Sequence, residues 1–202
     1  MMRVTRAGIW SVFLASTTVI GFGLAIWQSL RAEQLNRRQR DLDWPRFRSA
    51  ASDLARSVDR SDFMPDVILA LSERGAMVAH LVARELRSQV PIVTAAYLSR
   101  PDEEVELPGF EALRGTKAVT FLPDRLAELS GRRVLVLDDF VMSGDGLSAA
   151  VRSLRDRGFP AERIRSGAVV ATRLSIANKK GPDYWAREAR DFDFYFPWGR
   201  AE

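Results

Sequence analysis

The longest apolar run of the sequence lies near its start. Residues 7–27 contain no charged side chain, and Trp10 and Trp27 stand close to the two ends of this run. A helix of that length is about 30 Å long, which matches the hydrocarbon core of a bilayer, and indole rings favour the membrane interface. We therefore predict one membrane-spanning helix over residues 7–30, after a short N-terminus (1–6). The alternatives are a cleaved signal peptide, which would have a shorter apolar stretch, and a buried core helix.

The flanking charges predict how this helix is oriented. Four arginines follow it between residues 31 and 40, whereas only Arg3 and Arg6 precede it. Because basic residues concentrate on the cytoplasmic side of a membrane, we expect a single-pass membrane protein whose C-terminal part is cytoplasmic. Residues 31–43 are interpreted as a juxtamembrane linker, and residues 44–202 as the folded domain.

The rest of the chain alternates short apolar runs with segments of helical period. The apolar runs predict strands over residues 67–71, 91–98, 116–122, 133–137 and 166–172, and the helical patterns cover residues 75–87 and 147–157, with a short helix over 123–129. Buried strands that alternate with helices form a parallel sheet with helices on both faces. The prediction is an α/β doubly wound domain, whose ligand lies at the carboxyl ends of the strands. The polar segment 99–115, which carries four acids between Asp102 and Glu106, is predicted to be a long loop.

Charge and composition exclude several classes of function. The sequence has no cysteine and a single histidine, His80, so it has no thiolate metal site, no cysteine nucleophile and no poly-histidine metal centre. The net charge is +4, but ten arginines and only five acids lie within the first sixty residues, so the folded domain itself is slightly acidic. A nucleic-acid-binding domain would show the opposite distribution, and we expect no nucleic-acid partner.

Candidate chemistry lies where the strand over 133–137 ends. Asp138 and Asp139 follow the strand, and the short turn Ser143-Gly144-Asp145-Gly146-Leu147 leads into the next helix. Paired carboxylates can hold ribose hydroxyls or oxygens bound to Mg²⁺, and the N-terminus of a helix offers N–H groups and a positive dipole end to a phosphate. A diol holder and a phosphate cradle this close together describe a site for ribose 5-phosphate. An ordinary strand-to-helix turn with solvated acids is the alternative that the turn alone leaves open.

The segment VLVLDDFVMSGDGL (134–147) resembles the motif with which type I phosphoribosyltransferases bind 5-phosphoribosyl 1-pyrophosphate (PRPP). Further segments resemble the hypoxanthine-guanine and xanthine-guanine branch of that family: WPRF at 44–47, PDVI at 65–68, PDYWA at 182–186 and FPWG at 196–199. The resemblance spans about residues 43–200. It implies a twisted parallel sheet flanked by helices, with a small C-terminal hood that holds a base.

The resemblance also implies an activity, a cofactor and a set of site residues. The activity is transfer of ribose 5-phosphate from PRPP to a purine-like base with release of pyrophosphate, and the cofactor is Mg²⁺, held by Asp138 and Asp139. These two acids are the expected catalytic residues, and homo-oligomers are common in the family. The expected substrate-binding residues are the phosphate turn (Ser143, Gly144, Asp145, Gly146, Leu147), the pyrophosphate loop (Ser72, Glu73, Arg74, Gly75) and two base contacts (Arg173, Phe194).

The sequence departs from the family pattern at several of these positions. Met142 stands where the purine enzymes usually have an acid, Glu73 and Arg74 alter the pyrophosphate loop, and Asp145 places a carboxylate in the phosphate turn. Two functions fit this pattern: a membrane-anchored phosphoribosyltransferase, and a catalytically degenerate sensor that binds PRPP or a nucleotide and signals through its membrane helix. A scaffold that uses the fold only to bind other proteins is a third possibility.

Overall fold

The computed structural model describes residues 41–86, 89–99, 105–115, 118–190 and 192–201. The membrane-spanning helix predicted over residues 7–30 lies outside these ranges. Among the described residues, no helix is both long enough and apolar enough to cross a membrane. A compact unit begins at Leu42, whose side chain is buried and whose N–H donates to the carbonyl oxygen of Tyr195 over 2.8 Å.

The described chain alternates strands and helices, as the apolar pattern predicts. The helices are α1 (Trp44–Asp59), α2 (Glu73–Glu85), α3 (Asp145–Asp156) and α4 (Arg173–Ala177), with short 3₁₀ helices at Asp124–Leu129 and Ala161–Arg163. The strands are β1 (Val67–Ala70), β2 (Ile92–Thr94), β3 (Ala96–Ser99), β4 (Phe110–Arg114), β5 (Ala118–Pro123), β6 (Val134–Val141), β7 (Ile164–Thr172), β8 (Tyr184–Ala189), β9 (Tyr195–Phe196) and β10 (Gly199–Arg200).

Five strands form a parallel sheet in the order β2-β1-β6-β7-β8. Alternate residues of the central strand β6 point to opposite faces, so Leu135 and Leu137 pack with residues of α1 and α2, whereas Val134 and Val136 pack with residues of α3. Each helix buries its apolar stripe against one face of the sheet. The sheet is therefore covered on both sides, which confirms the predicted α/β architecture.

The apolar run predicted as one strand over residues 91–98 is divided at Ala95. Its first half, β2, lies at the edge of the parallel sheet, whereas its second half, β3, belongs to a separate antiparallel sheet of order β3-β5-β4. The prediction of a continuous loop over 99–115 is also wrong at its end, because β4 lies there. Within β4, Phe110 and Ala112 are half-buried whereas Glu111 is exposed; this alternation of period two is typical of a strand covered on one face only.

The C-terminal segment adds an edge strand and a small hairpin. β8 pairs in parallel with β7 and completes the central sheet, and β9 pairs antiparallel with β10. An aromatic cluster joins this hairpin to α1 and β6: Phe196 stacks on Trp198 with 5.0 Å between ring centroids, and Phe47 meets Trp198 edge-on at 4.9 Å. The segment expected to form a hood is thus partly an extension of the sheet and partly a cover over its aromatic end.

Candidate functional site

The two predicted acids lie inside β6 rather than after it. The strand continues to Val141, and Asp138 pairs with Ala168 of β7 while Val141 pairs with Ala171. The apolar run predicts that the strand ends at Leu137. The structure corrects that boundary: the backbone on both sides of the acids is held in the sheet ladder. Asp139 is buried, with 6% of its surface exposed, and Asp138 is partly buried.

Ser72 connects this acid pair to the start of α2. Its hydroxyl donates to Oδ1 of Asp138 over 3.0 Å, and the same oxygen atom of Ser72 accepts from the N–H of Gly75 over 2.9 Å, which caps the helix. Oδ1 of Asp138 also accepts from the N–H of Asp139 over 3.0 Å. The acids of β6 and the predicted pyrophosphate loop therefore form one hydrogen-bonded unit.

Burial and proximity perturb the protonation of both acids. Loss of solvation raises the pKa of Asp138 well above its usual range, and the negative charge of Asp139 raises it further. Burial also raises the pKa of Asp139, although the hydrogen bond from Asp138 and the positive charge of Arg74 oppose this rise. Two carboxyl groups at such close range cannot both ionise freely. The site therefore favours binding of a proton or of a cation.

Gly75 allows α2 to approach the acids closely. A Cβ atom added at this position would lie 2.9 Å from the carbonyl oxygen of Leu137 and 3.2 Å from Oδ1 of Asp138. Glycine is therefore required by space rather than by backbone conformation. Its neighbours Glu73 and Arg74 occupy the first turn of α2, where Glu73 is exposed and Arg74 is close enough to Asp139 to lower the pKa of that acid.

The predicted phosphate turn connects β6 to α3. Gly144 caps this helix with a φ angle of 82°, a left-handed conformation that glycine adopts without strain. Asp145 and Gly146 are exposed at the first turn of α3, whereas Leu147 is buried, so only the backbone of Leu147 is available to a ligand. Glycine at 146 leaves open space around its Cα. The turn thus presents the N-terminus of α3 to solvent, and helix N-termini bind anions. Within it, the N–H of Asp145 donates to the hydroxyl of Ser143 over 3.3 Å.

Lys180 is a residue of this site that sequence reasoning missed. Its Nζ lies 2.6 Å from Oδ1 of Asp145, and the hydroxyl of Ser143 donates to Oδ2 of the same carboxylate over 2.9 Å. Both partners lower the pKa of Asp145. Lys180 is 35 residues away in sequence, and the contact depends on the chain after α4 returning to the turn. A Cβ on Gly144 would collide with the backbone of Lys180, so the two segments touch directly.

The two predicted base contacts occupy different surroundings. Arg173 is exposed at the start of α4 and its Nε donates to Glu188 over 2.6 Å. Phe194 is only 3% exposed, and its ring stacks on Phe140 at 6.0 Å and tilts against Phe196 at 5.2 Å. The ring of Phe194 is therefore covered by other aromatic rings, whereas Phe192 is 42% exposed. Core packing explains the burial of Phe194, since it belongs to the aromatic cluster.

These observations define a class before any comparison with other proteins. The class is a doubly wound α/β domain whose central strand carries a largely buried acid pair and leads into a glycine turn at a helix N-terminus. The model of the phosphoribosyl transferase domain family matches residues 42–199. This chain belongs to that family.

Solved structures share the fold at low sequence identity. A purine phosphoribosyltransferase from Pyrococcus horikoshii Ot3 is 20% identical, with a TM-score of 0.57 and coverage of 80% of this chain and 95% of that one. The xanthine-guanine-hypoxanthine phosphoribosyltransferase of Helicobacter pylori is 15% identical, with a TM-score of 0.53 and coverage of 79% and 90%.

A third similar structure carries a bound nucleotide. It is a hypothetical protein from Neisseria gonorrhoeae with bound ppGpp, 14% identical, with a TM-score of 0.57 and coverage of 79% of this chain and 89% of that one. No curated protein sequence matches the chain significantly. The comparisons establish the family and the fold.

Proposed function

We propose that this chain is a membrane-anchored phosphoribosyltransferase that transfers ribose 5-phosphate from PRPP to a purine-like base. The main support for this proposal is that one strand and the turn after it carry both parts of a site for ribose 5-phosphate: the acids for the ribose hydroxyls and the turn for the phosphate. The buried acids Asp138 and Asp139 lie on β6, and the anion-binding turn from Ser143 to Leu147 follows them directly. Membership of the phosphoribosyl transferase family supports the assignment of these acids and this turn to a ribose 5-phosphate site.

The acid pair suits a magnesium-bound ligand. Among the described residues there is no cluster of three or more metal-ligating side chains. Mg²⁺ commonly binds through one or two carboxylates together with substrate phosphates and waters, so it requires no larger cage. Burial raises the pKa of both acids, and the charge of Asp139 raises that of Asp138 further, so a bound cation would favour their ionised forms. When bound, Mg²⁺ would neutralise the negative charge of the pyrophosphate group.

The chain's own residues then position the reacting atoms. Asp138 and Asp139 accept hydrogen bonds from the ribose hydroxyls, and the turn holds the 5-phosphate with its N–H groups. A nitrogen of the base forms a bond to C1 of the ribose while the bond from C1 to the pyrophosphate oxygen breaks, and pyrophosphate leaves with that electron pair. The base gives up its N–H proton to solvent, because Met142 offers no proton acceptor. Positioning and charge neutralisation therefore supply the rate enhancement.

A sensor without turnover is the second candidate function. The departures that favour it are specific: Met142 lacks the acid of the purine enzymes, Glu73 is an exposed acid in the predicted pyrophosphate loop, and Asp145 occupies the phosphate turn. All of them fall on contacts with base, pyrophosphate or phosphate, and they leave the ribose acids in place. The similar structure with bound ppGpp makes a guanine nucleotide a reasonable ligand to test.

A two-part titration separates the two functions. Binding of PRPP with Mg²⁺ to the full chain is measured by calorimetry, and release of pyrophosphate is then assayed with a panel of purine bases. Binding with turnover supports the transferase, and binding of PRPP or ppGpp without turnover supports the sensor. Asp138→Asn and Asp139→Asn should abolish binding in both cases. A chain that binds none of these ligands would refute both functions and leave the scaffold.

Membrane anchoring is a separate part of the proposal and rests on the uncharged run at 7–27. The full chain should remain in the membrane pellet after alkaline extraction, whereas a chain lacking residues 7–30 should be released. Because the sequence has no cysteine, single cysteines at Thr5 and Glu162 can be labelled without background. A membrane-impermeant thiol reagent added to intact cells should label Thr5→Cys and leave Glu162→Cys unlabelled.

A further inference from the structure

The Asp145–Lys180 ion pair lies at the N-terminus of α3, at the place where the proposed function puts a phosphate. Lys180 Nζ is 2.6 Å from Oδ1 of Asp145, and Ser143 Oγ is 2.9 Å from Oδ2. An ammonium group, a hydroxyl and a helix N-terminus are the groups that bind phosphate oxygens. In the structure, the ammonium group and the hydroxyl both contact the carboxylate of Asp145, which is the first residue of α3.

The backbone holds Lys180 in this position. Gly144 and Lys180 are in direct contact, and no side chain larger than that of glycine fits between them. The N–H of Lys180 donates to the carbonyl oxygen of Ser175 over 2.9 Å, which closes the chain back on α4. The backbone of Lys180 is therefore held beside the turn, and its ammonium group lies within reach of a ligand there.

The ion pair itself is easily exchanged. The side chains of Lys180 and Asp145 are 45% and 66% exposed, and exposed ion pairs contribute little free energy. A phosphomonoester brings two negative charges at neutral pH and three acceptor oxygens, whereas the carboxylate brings one charge. A phosphate arriving at the turn would therefore compete successfully for the same donors.

We propose that Lys180 binds the phosphate of the ligand directly, and that its ammonium group forms an ion pair with Asp145 only while the site is empty. This inference rests on the proposed function, because it assigns a further residue to the same phosphoribosyl site. On binding, the carboxylate of Asp145 turns towards solvent and its place is taken by phosphate oxygens. Lys180 is then a specificity-determining residue for phosphorylated ligands, and Asp145 weakens their affinity.

A double-mutant cycle tests whether Lys180 contacts the phosphate or only neutralises Asp145. The full chain and the variants Lys180→Gln, Asp145→Asn and the double variant are titrated with ribose 5-phosphate in the calorimeter. The control is Lys179→Gln, which removes the same charge from the neighbouring exposed position, where the structure shows no ion pair within the described residues. Melting curves verify that each variant is folded.

If Lys180 contacts the phosphate directly, replacing it should weaken the binding of ribose 5-phosphate even when the carboxylate of Asp145 has been removed. Lys180→Gln should weaken ribose 5-phosphate binding about tenfold or more, in the wild-type chain and again in the Asp145→Asn chain. Asp145→Asn alone should tighten binding about threefold, since it frees the ammonium group. Lys180→Arg should retain most of the affinity, and Lys179→Gln should leave it unchanged.

Two results would overturn the inference, and they differ in what else they affect. If Lys180→Gln has no effect in the Asp145→Asn chain, Lys180 acts only through Asp145, and the proposed function stands. If the unmodified chain binds neither ribose 5-phosphate nor PRPP, the proposed function fails and the inference fails with it. If Lys180→Gln alone does not fold, comparison of the double variant with Asp145→Asn still decides between these outcomes.

Discussion

At the scale of one residue, the ionised form of Asp138 that suits ligand binding lowers the stability of the ligand-free protein. Its pKa is raised by burial and by the neighbouring charge of Asp139, so the folded protein binds a proton there more tightly than the unfolded chain does. The stabilisation from this group is present at low pH and is lost as the pH rises through the pKa of the folded state. A site that holds a cation and a diol thus costs stability when it is empty.

We predict that Asp138→Asn stabilises the ligand-free protein at alkaline pH. The asparagine keeps an oxygen for the hydroxyl of Ser72 and removes one of the two charges, so the free energy of unfolding at pH 8 should rise by roughly 1–2 kcal/mol. The gain should shrink towards pH 4. Urea unfolding at both pH values measures it, and a variant that is less stable than the wild type at pH 8 would contradict the argument.

Gly75 and Gly146 allow a matched test of close packing. Gly75→Ala would place a methyl group 2.9 Å from the carbonyl oxygen of Leu137, and we expect a loss of about 1–3 kcal/mol in the free energy of unfolding. Gly146→Ala is the control, since position 146 is helical with open space around it and alanine favours helices. Chemical denaturation of both variants should show a loss for the first and no loss for the second.

Single residues differ in how well the sequence predicts their surroundings. The acid pair and the glycine turn are adjacent in sequence, so the motif alone places them together. Lys180 reaches Asp145 only through the fold, and no local pattern predicts that contact. The family resemblance implies that Phe194 contacts a base, whereas in the structure the aromatic rings of Phe140 and Phe196 cover it. A local pattern cannot tell which of two neighbouring aromatic residues is buried.

At the scale of elements, an ion pair fixes where the two central strands begin. Asp66 precedes β1 and Arg133 precedes β6. The carboxylate of Asp66 accepts from the backbone N–H of Arg133 over 2.9 Å and from its guanidinium over 3.0 and 3.2 Å. These hydrogen bonds lower the pKa of Asp66. The pair lies next to the first residues that β1 and β6 pair with each other, Val67 and Val134.

We predict that Asp66→Asn makes the protein less stable at neutral pH but not at low pH. Because the pKa of Asp66 is lowered in the fold, its contribution is present above the unfolded pKa and is lost as the pH falls through the folded one. The loss at pH 7 should be about 1 kcal/mol, since both side chains are partly exposed and solvent screens the pair. Thermal unfolding at pH 7 and pH 3 measures it.

Asp62→Asn is the control for this prediction. It removes the same charge four residues earlier, at an exposed position where the structure shows no ion pair within the described residues. Its effect on the melting temperature should be small at both pH values. Equal losses for the two variants would show that net charge, rather than the contact with Arg133, sets the stability.

The central sheet was predictable from sequence, whereas the smaller sheet was not. β1, residues 134–137 of β6 and residues 167–171 of β7 are continuous apolar runs because the sheet is covered on both faces. β4 is half-exposed and follows a highly charged segment, so the polar sequence there predicts a loop. One apolar run is divided into β2 and β3 because the chain passes from one sheet to the other at Ala95. The periodicity of the sequence does not show where a chain changes sheets.

At the scale of the whole molecule, Leu42–Glu202 form a compact unit of their own. We therefore predict that a chain lacking residues 1–41 folds cooperatively and binds PRPP with an affinity within about twofold of that of the full chain. Circular dichroism during heating and calorimetry measure the two properties. A truncated chain that melts without a cooperative transition would show that the first 41 residues contribute to the fold.

The two ends of this domain meet at one place. The N–H of Leu42 donates to the carbonyl oxygen of Tyr195, and the N–H of Ala201 donates to that of Phe194, each over 2.8 Å. A flexible linker of about six residues would span such a gap, so the order of the elements along the chain can be permuted. A circular permutant that joins Ala201 to Leu42 and opens at the exposed turn of Gly109 should keep the same melting behaviour. The N-terminus, and with it any membrane anchor, could then be moved to another face of the domain.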